Sequence, residues 1–205
     1  MRKKVIFVVF CLVWCVTVTV RAQQHGWAQY SFSGGYENFA HTYEKSGYMF
    51  TADVEAHGRR KIFGAFLVGM SAYEGLQPVW VDYGKERISD NISDRRTQII
   101  FAAGPGFDFL SNYIDRFYLS LYGGYAIVNY EYDYFNAKVR EFRDESRNGL
   151  TGLMRLGYEH QCGRSWAIGA FLQGAYIGEE LNWAVGVRIG FRTSDFHTKR
   201  LPATY

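Results

Sequence analysis

Beyond residue 22 few side chains can do chemistry. Histidines stand at His25, His41, His57, His160 and His197, and Cys162 is the one cysteine, since Cys11 and Cys15 precede it near the start of the chain. Acyl transfer or hydrolysis on a lipid needs a histidine beside a serine or an acid. Only His41 falls in a polar connection that reaches the outer side of the barrel deduced here. No partner for it can be identified, so the sequence assigns no catalytic residue and points away from an enzyme. A single cysteine allows no internal disulfide. Asp90 and Asp94 offer clustered oxygens of the kind calcium takes, but their spacing matches no calcium loop. With no paired-cysteine site and no phosphate-cradling glycine loop either, neither a metal nor a cofactor is expected.

A different set of charges is more informative. Asp53, Glu55, Asp108, Arg155, Glu159, Arg188 and Arg192 each occupy an alternate position in an otherwise greasy run. The chemistry open to them is ion pairing in an enclosed space, or a proton or ion path.

The runs that carry them are strands. From Trp183 to Arg192 every odd position is large and apolar, and every even one is glycine, alanine or arginine after Trp183. This period of two marks a strand with unlike faces. Just before it Trp166, Ile168, Ala170, Leu172 and Tyr176 alternate with Ala167, Gly169, Gln173 and Ala175, and a short polar link makes the two runs a hairpin. In a soluble sandwich the polar face meets water; here the second face is small residues and arginine, which suits a narrow lumen, while the bulky face suits lipid. A lysine or arginine facing mid-bilayer lipid costs roughly 2–4 kcal/mol, and that penalty assigns the charges to the inside.

The same alternation gives strands at 28–36, 48–56, 62–72, 99–109, 117–127 and 150–159, for eight in all. In the run from Ile62 the even face (Ile62, Gly64, Phe66, Val68, Met70, Ala72) and the odd face (Phe63, Ala65, Leu67) are both apolar, so its parity stays open. Pro105 removes a ladder donor and belongs at a bulge or near a strand end. The connections alternate in length: three inner ones are short, and of the four outer ones those at about 37–46, 73–96 and 131–148 are long polar loops.

Arg2, Lys3 and Lys4, an apolar run from Val5 to Val20 and then Arg21-Ala22 have the order of a secretory signal cut after Ala22; the run is shorter than the roughly 20 residues of a spanning helix. Domains are therefore expected as signal 1–22, barrel 23–192 and a short periplasmic tail 193–205. Removing Arg2, Lys3, Lys4 and Arg21 from the 23 Lys+Arg leaves 19 against 20 Asp+Glu, a formal charge of −1. The basic excess is a targeting feature, and nucleic acid is excluded as a partner. Past residue 22 no uncharged run is long enough for a spanning helix. If the chain enters a membrane it does so as a closed barrel, because an open sheet edge leaves backbone groups unpaired in lipid. A soluble lipid-carrying barrel gives the same strand count, but not this rhythm of connections, nor a polar lumen.

The expected fold is thus all-β, an eight-stranded antiparallel up-and-down transmembrane barrel. The signal, the eight alternating strands, the short inner turns and the last strand with Val185, Val187, Ile189 and Phe191 resemble the small outer-membrane barrels of the OmpA transmembrane-domain and OmpX type, over nearly all of the mature chain. The resemblance implies a bacterial outer membrane, with its lipid and lipopolysaccharide around the wall, and a closing strand recognised by the barrel-assembly machinery. Thr193 to Tyr205 extend past the final aromatic, a departure from that pattern.

Trp27, Tyr36, Tyr125, Tyr158, Trp166, Tyr176, Trp183 and Phe191 lie near strand ends, where interfacial girdles are placed. Tyr130, Tyr132 and Tyr134 either extend a hairpin or bind a sugar or partner above the membrane. An eight-stranded barrel is just wide enough for its own side chains to fill it, so the lumen is expected to be plugged by paired charges. The expected role is structural or in surface interaction, with a protein or glycan partner at the outer loops. A narrow channel for small or apolar solutes is the second reading, and a lipid-modifying enzyme the third.

Overall fold

The computed structural model describes residues 27–39, 45–58, 61–82, 87–112, 114–135, 140–163, 165–177 and 180–193, of which 45, 76–82, 87–94, 132–135 and 140–143 are described by backbone alone. The expected signal at 1–22, most of the expected tail (194–205), His25, His41 and His197 lie outside the described residues. Eight strands follow in chain order: β1 Trp27–Phe39, β2 Lys45–His57, β3 Ile62–Asp82, β4 Arg87–Ser111, β5 Asp115–Phe135, β6 Arg140–Gln161, β7 Trp166–Ile177 and β8 Glu180–Thr193. Each pairs antiparallel with the next, and β8 closes on β1 through Ala28↔Thr193 to Phe39↔Asn182. The Thr193 hydroxyl donates to the Ala28 carbonyl at 3.1 Å and pins that seam. Closure leaves no unpaired edge where the wall is complete, which is the condition for crossing a bilayer.

The faces follow the sequence parity. Phe32, Leu150, Val187 and Leu181 are more than three-fifths exposed on the outside. Their alternating neighbours Ser31, Ser33, Thr151, Arg188 and Asn182 are buried. The open question of β3 is settled here: Phe63, Ala65 and Leu67 are buried, while Ile62 and Met70 face out. Its lumen side is apolar because it packs on Ile100, Ala102 and Tyr118 inside the barrel. Pro105 stands where the β4–β5 ladder is interrupted, between Ala103↔Gly123 and Gly106↔Ser120, and a bulge at Phe109 follows.

Two of the long polar connections are not loops. β3 and β4 stay paired from Ile62↔Phe107 up to Asp82↔Arg87, and β5 and β6 up to Phe135↔Arg140. The stretches 73–82 and 87–96, and likewise 131–135 and 140–148, are strand. Polar residues on both faces hide them from a periodicity search, since above a membrane neither face need be greasy. The first outer connection is also shorter than expected, because β1 runs to Phe39 and β2 starts at Lys45.

Candidate functional site

The lumen is built in three layers. At the end with the short turns, Arg116, Arg155, Arg188 and Arg192 meet Asp53, Glu55, Asp108 and Glu159. Parity brings each inward: Asp53 and Glu55 alternate on β2, Arg155 and Glu159 on β6, Arg188 and Arg192 on β8. Arg188 lies beside Asp53, donates to Glu55 at 2.7 Å and to the Tyr118 hydroxyl at 2.5 Å, and sits 3.0 Å from Glu159. Arg155 donates to Asp53 at 3.2 Å, to Thr51 at 3.1 Å and to Gln173 at 2.7 Å. Arg116 holds Glu55 at 2.8 Å, Asp108 at 2.6 Å and Glu159 at 3.0 Å. Arg192, half-buried, donates to Gln29 at 2.9 Å and reaches Glu159 at 3.4 Å.

These bonds cross the bore. β2 and β6 stand opposite one another in the ring of eight, so the Arg155–Asp53 pair spans its full width. The rings add to the filling: Arg155 lies over Phe171 at 4.6 Å, and Arg116 over Phe63 and Tyr118 at 4.6 and 4.4 Å. Glycine makes room for two of them, since a Cβ on Gly106 would stand 2.1 Å from the Phe63 ring and one on Gly157 2.2 Å from that of Tyr118. Four cations against four carboxylates leave the cluster close to neutral. Neutrality, together with at least two partners for each arginine, is what makes such burial tolerable.

Above Arg155 the bore turns apolar, with Ile100, Ala126, Val128, Leu153 and Ile177 buried together. A second polar layer closes the outer end. Arg96 of β4 pairs with Glu180 of β8, again opposite walls, and lies between the rings of Phe39 and Tyr130 at 4.7 and 5.1 Å. Gln98 and Asn182 donate to Glu37 at 2.8 and 3.3 Å.

All seven charges named from sequence therefore face the lumen, six of them buried and Arg192 partly so. Sequence reasoning missed Arg116, His57, Glu37, Arg96, Gln98 and Asn182. Each continues the inward parity of its strand by one or two steps beyond the run where the alternation is strict, and extending the alternation finds them. Trp27 needs correction. It shares the odd face of β1 with Gln29, so it is not an outward girdle residue: its ring stacks on the buried His57 at 3.7 Å and lies over Arg192 at 4.8 Å. Tyr36, Trp166, Tyr176, Trp183 and Phe191 do face out, Trp166 meeting Phe191 edge-on at 5.3 Å. Tyr125 and Tyr158 are half-buried, the latter against Phe117 at 4.7 Å. Asp90 and Asp94 have their backbone in β4. Among the described residues no group of three or more His, Cys, Asp or Glu is placed to hold a metal.

The described histidines do not build a reactive centre at the outer end. His57 is enclosed between Glu55 at 2.9 Å and Asp108 at 3.5 Å, and His160 sits at an inner turn on Asp115 at 2.9 Å. Tyr158 donates to the same Asp115 oxygen at 2.8 Å. The His160 and Tyr158 bonds hold this exposed carboxyl below the usual aspartate range.

No protein-family model and no curated protein sequence matches the chain. Solved structures do. Ail, the attachment invasion locus protein of Yersinia pestis, in complex with the heparin analogue sucrose octasulfate, superposes with a TM-score of 0.58 at 12% identity, over 82% of this chain and 99% of that one. A second structure of Ail gives 0.54 at 12% identity over the same shares. Neisserial surface protein A gives 0.48 at 9%, over 80% and 96%. At such identities the likeness concerns architecture: the chain has the fold of the small eight-stranded outer-membrane barrels.

Proposed function

We propose that this outer-membrane barrel is a surface-interaction protein. Its lumen charges form a static scaffold, its outward aromatics form the girdles, and the tall side of its wall is the contact element. Lipid and lipopolysaccharide surround the greasy belt, and the closing strand with Phe191 is what the assembly machinery engages during biogenesis.

The uneven height of the wall carries the reading. A transmembrane strand needs roughly 9–11 residues, and β1, β2, β7 and β8 have 13, 13, 12 and 14. β3 to β6 have 21, 25, 21 and 22 and continue as one paired sheet above the rim. About ten extra residues per strand make roughly 30 Å of added length. Among the described residues two sides of this sheet have no paired strand: β2 pairs with β3 only as far as Tyr48↔Ala72, and β7 with β6 only as far as Thr151↔Ile177. Open strand edges accept an added strand from another chain. The β6 edge is guarded by sequence, with Arg140, Glu141, Arg143, Asp144, Glu145 and Arg147. The β3 edge has no charge between Glu74 and Asp82 and carries Leu76, Val79, Trp80 and Val81, with Pro78 withholding a single backbone donor. An extended protein segment at β3 is therefore the favoured partner.

Ail was solved with a heparin analogue, and a glycan is the competing class. Against a polyanion here stands the pairing of those outer arginines whose side chains are described: Arg95 with Glu131 at 3.9 Å, Arg147 with Glu145 at 3.4 Å, and Arg96 with Glu180. Replacing residues 76–93 by a short turn tests both. Cells displaying that variant should still carry a folded barrel yet lose attachment to immobilised host-cell surface protein that does not itself bind heparin, while soluble heparin leaves wild-type attachment unchanged. Attachment that survives the truncation, or that heparin abolishes, overturns the reading.

A further inference from the structure

Phe50 of β2 is opposite Gly34 of β1, and a Cβ on that glycine would touch the Phe50 ring at 3.7 Å. The ring thus lies over the glycine of the neighbouring strand and leaves the other side of β2 uncovered. What it uncovers is a slot of about 390 Å³ on the outside of the wall. Ala52 and Val68 form the floor, Phe32 and Phe50 one side, Met70 and Ile99 the other. Phe32 and Phe50 stand well out of the wall, at 71% and 63% exposure, which makes the walls of the slot high.

We propose that this slot seats one acyl chain of a surrounding lipid. The inference rests on the membrane placement above. Depth selects the occupant: Tyr36 and Tyr48 face out on one side of the slot along β1 and β2, and Tyr30 on the other, so the slot lies at the level of hydrocarbon. Its six outward side chains carry no polar group, and Ser33 and Thr51, which also line it, are buried on the lumen face of the wall, so a lipid head group finds no partner there. A second barrel would meet the ridge made by Phe32 and Phe50 with its own convex wall and would not reach Ala52. A single flexible hydrocarbon chain fits between the ridges and makes the dispersion contacts that an open slot forgoes.

The test uses the full chain in bilayers containing a phospholipid with a diazirine in mid-tail, with adducts mapped by mass spectrometry. Leu172, Val187 and Ile189, at 52%, 63% and 49% exposure, serve as reference belt positions. Their labelling reports insertion, and the ratio of slot to reference labelling reports the seat. Labelling several-fold higher at Ala52, Val68 and Met70 than at the references is the expected result. Ala52→Trp, which fills the floor, should bring the ratio to one. So should Gly34→Leu, which pushes Phe50 back across the slot without touching its floor. Equal labelling of slot and references in the wild type, or protein–protein adducts at the slot, would overturn the seat while leaving insertion established. No labelling of the references would instead overturn the membrane placement.

Discussion

At the scale of single residues, the lumen cluster is defined by what each charge would lose if left alone. Arg188→Met takes from Asp53 and Glu55 one of the two arginines each holds, leaving Arg155 and Arg116 and one carboxylate in excess; removing one partner of a buried pair costs about 3–5 kcal/mol, which is the upper bound here. Urea unfolding in lipid should register that loss. Adding Asp53→Asn should recover part of it, with a coupling of about 0.5–3 kcal/mol, because the two groups touch; a purely additive double variant would show that the pair is not coupled. The outside gives the converse experiment. Val187 is 63% exposed on the wall beside Arg188, so Val187→Arg moves an arginine by one residue and from lumen to lipid. The expected cost is about 2–4 kcal/mol at mid-wall, and a neutral outcome would place Val187 away from lipid. Legibility at this scale was high where alternation was strict. A period of two on β8 sufficed to put Arg188 inside. It failed at Trp27, where a residue type associated with interfaces was given more weight than the parity that joins it to Gln29, and at Arg116, one step outside the run that Tyr118 and Ser120 define.

At the scale of the element, the inner turns and the outer hairpins obey different rules. The β5–β6 pairing ends inward on Asp115, whose carboxyl takes bonds from Tyr158 and His160 and is held below its usual range by them. A carboxyl with a lowered folded pKa contributes stability that is fully present above its unfolded value, about 3.9, and is lost as pH falls through the folded value. Carbon-13 titration of Asp115 should therefore give a midpoint below the ordinary one, and His160→Ala should move it upward. An unshifted wild-type midpoint would mean the two bonds do not form in solution. Outward, β3 to β6 run on past the membrane, and here the sequence was opaque for a physical reason. Periodicity exposes a strand only when its two faces see different surroundings; between Glu74 and Asp82 the apolar residues fall in both alternating sets, Leu76 and Trp80 in one and Val79 and Val81 in the other, and Glu141 to Arg147 has charges in both. Their strand state comes from pairing with each other, a non-local property that composition does not carry.

For the molecule as a whole, the opposed pairs predict a blocked bore. Arg155 of β6 reaches Asp53 of β2 directly across the barrel, Arg96 of β4 reaches Glu180 of β8 likewise, and between these bars the lumen holds Leu67, Ile100, Tyr122 and Leu153. An ion entering from either end would have to displace a charge pair and then cross a mostly apolar layer whose few hydroxyls, on Tyr122, Ser33 and Ser71, do not replace a full hydration shell. Planar bilayers containing the purified protein should therefore show no large, sustained single-channel currents. Brief openings would not contradict this, because pairs can break transiently, but stable high conductance would mean the two bars are mobile and would restore the channel reading. The distinction also bears on the surface role. A barrel that conducts nothing and encloses its charges exposes to the outside world only its rim and the sheet that β3 to β6 raise above it, so any activity in the medium must be lost when those hairpins are shortened and kept when the lumen is rebuilt.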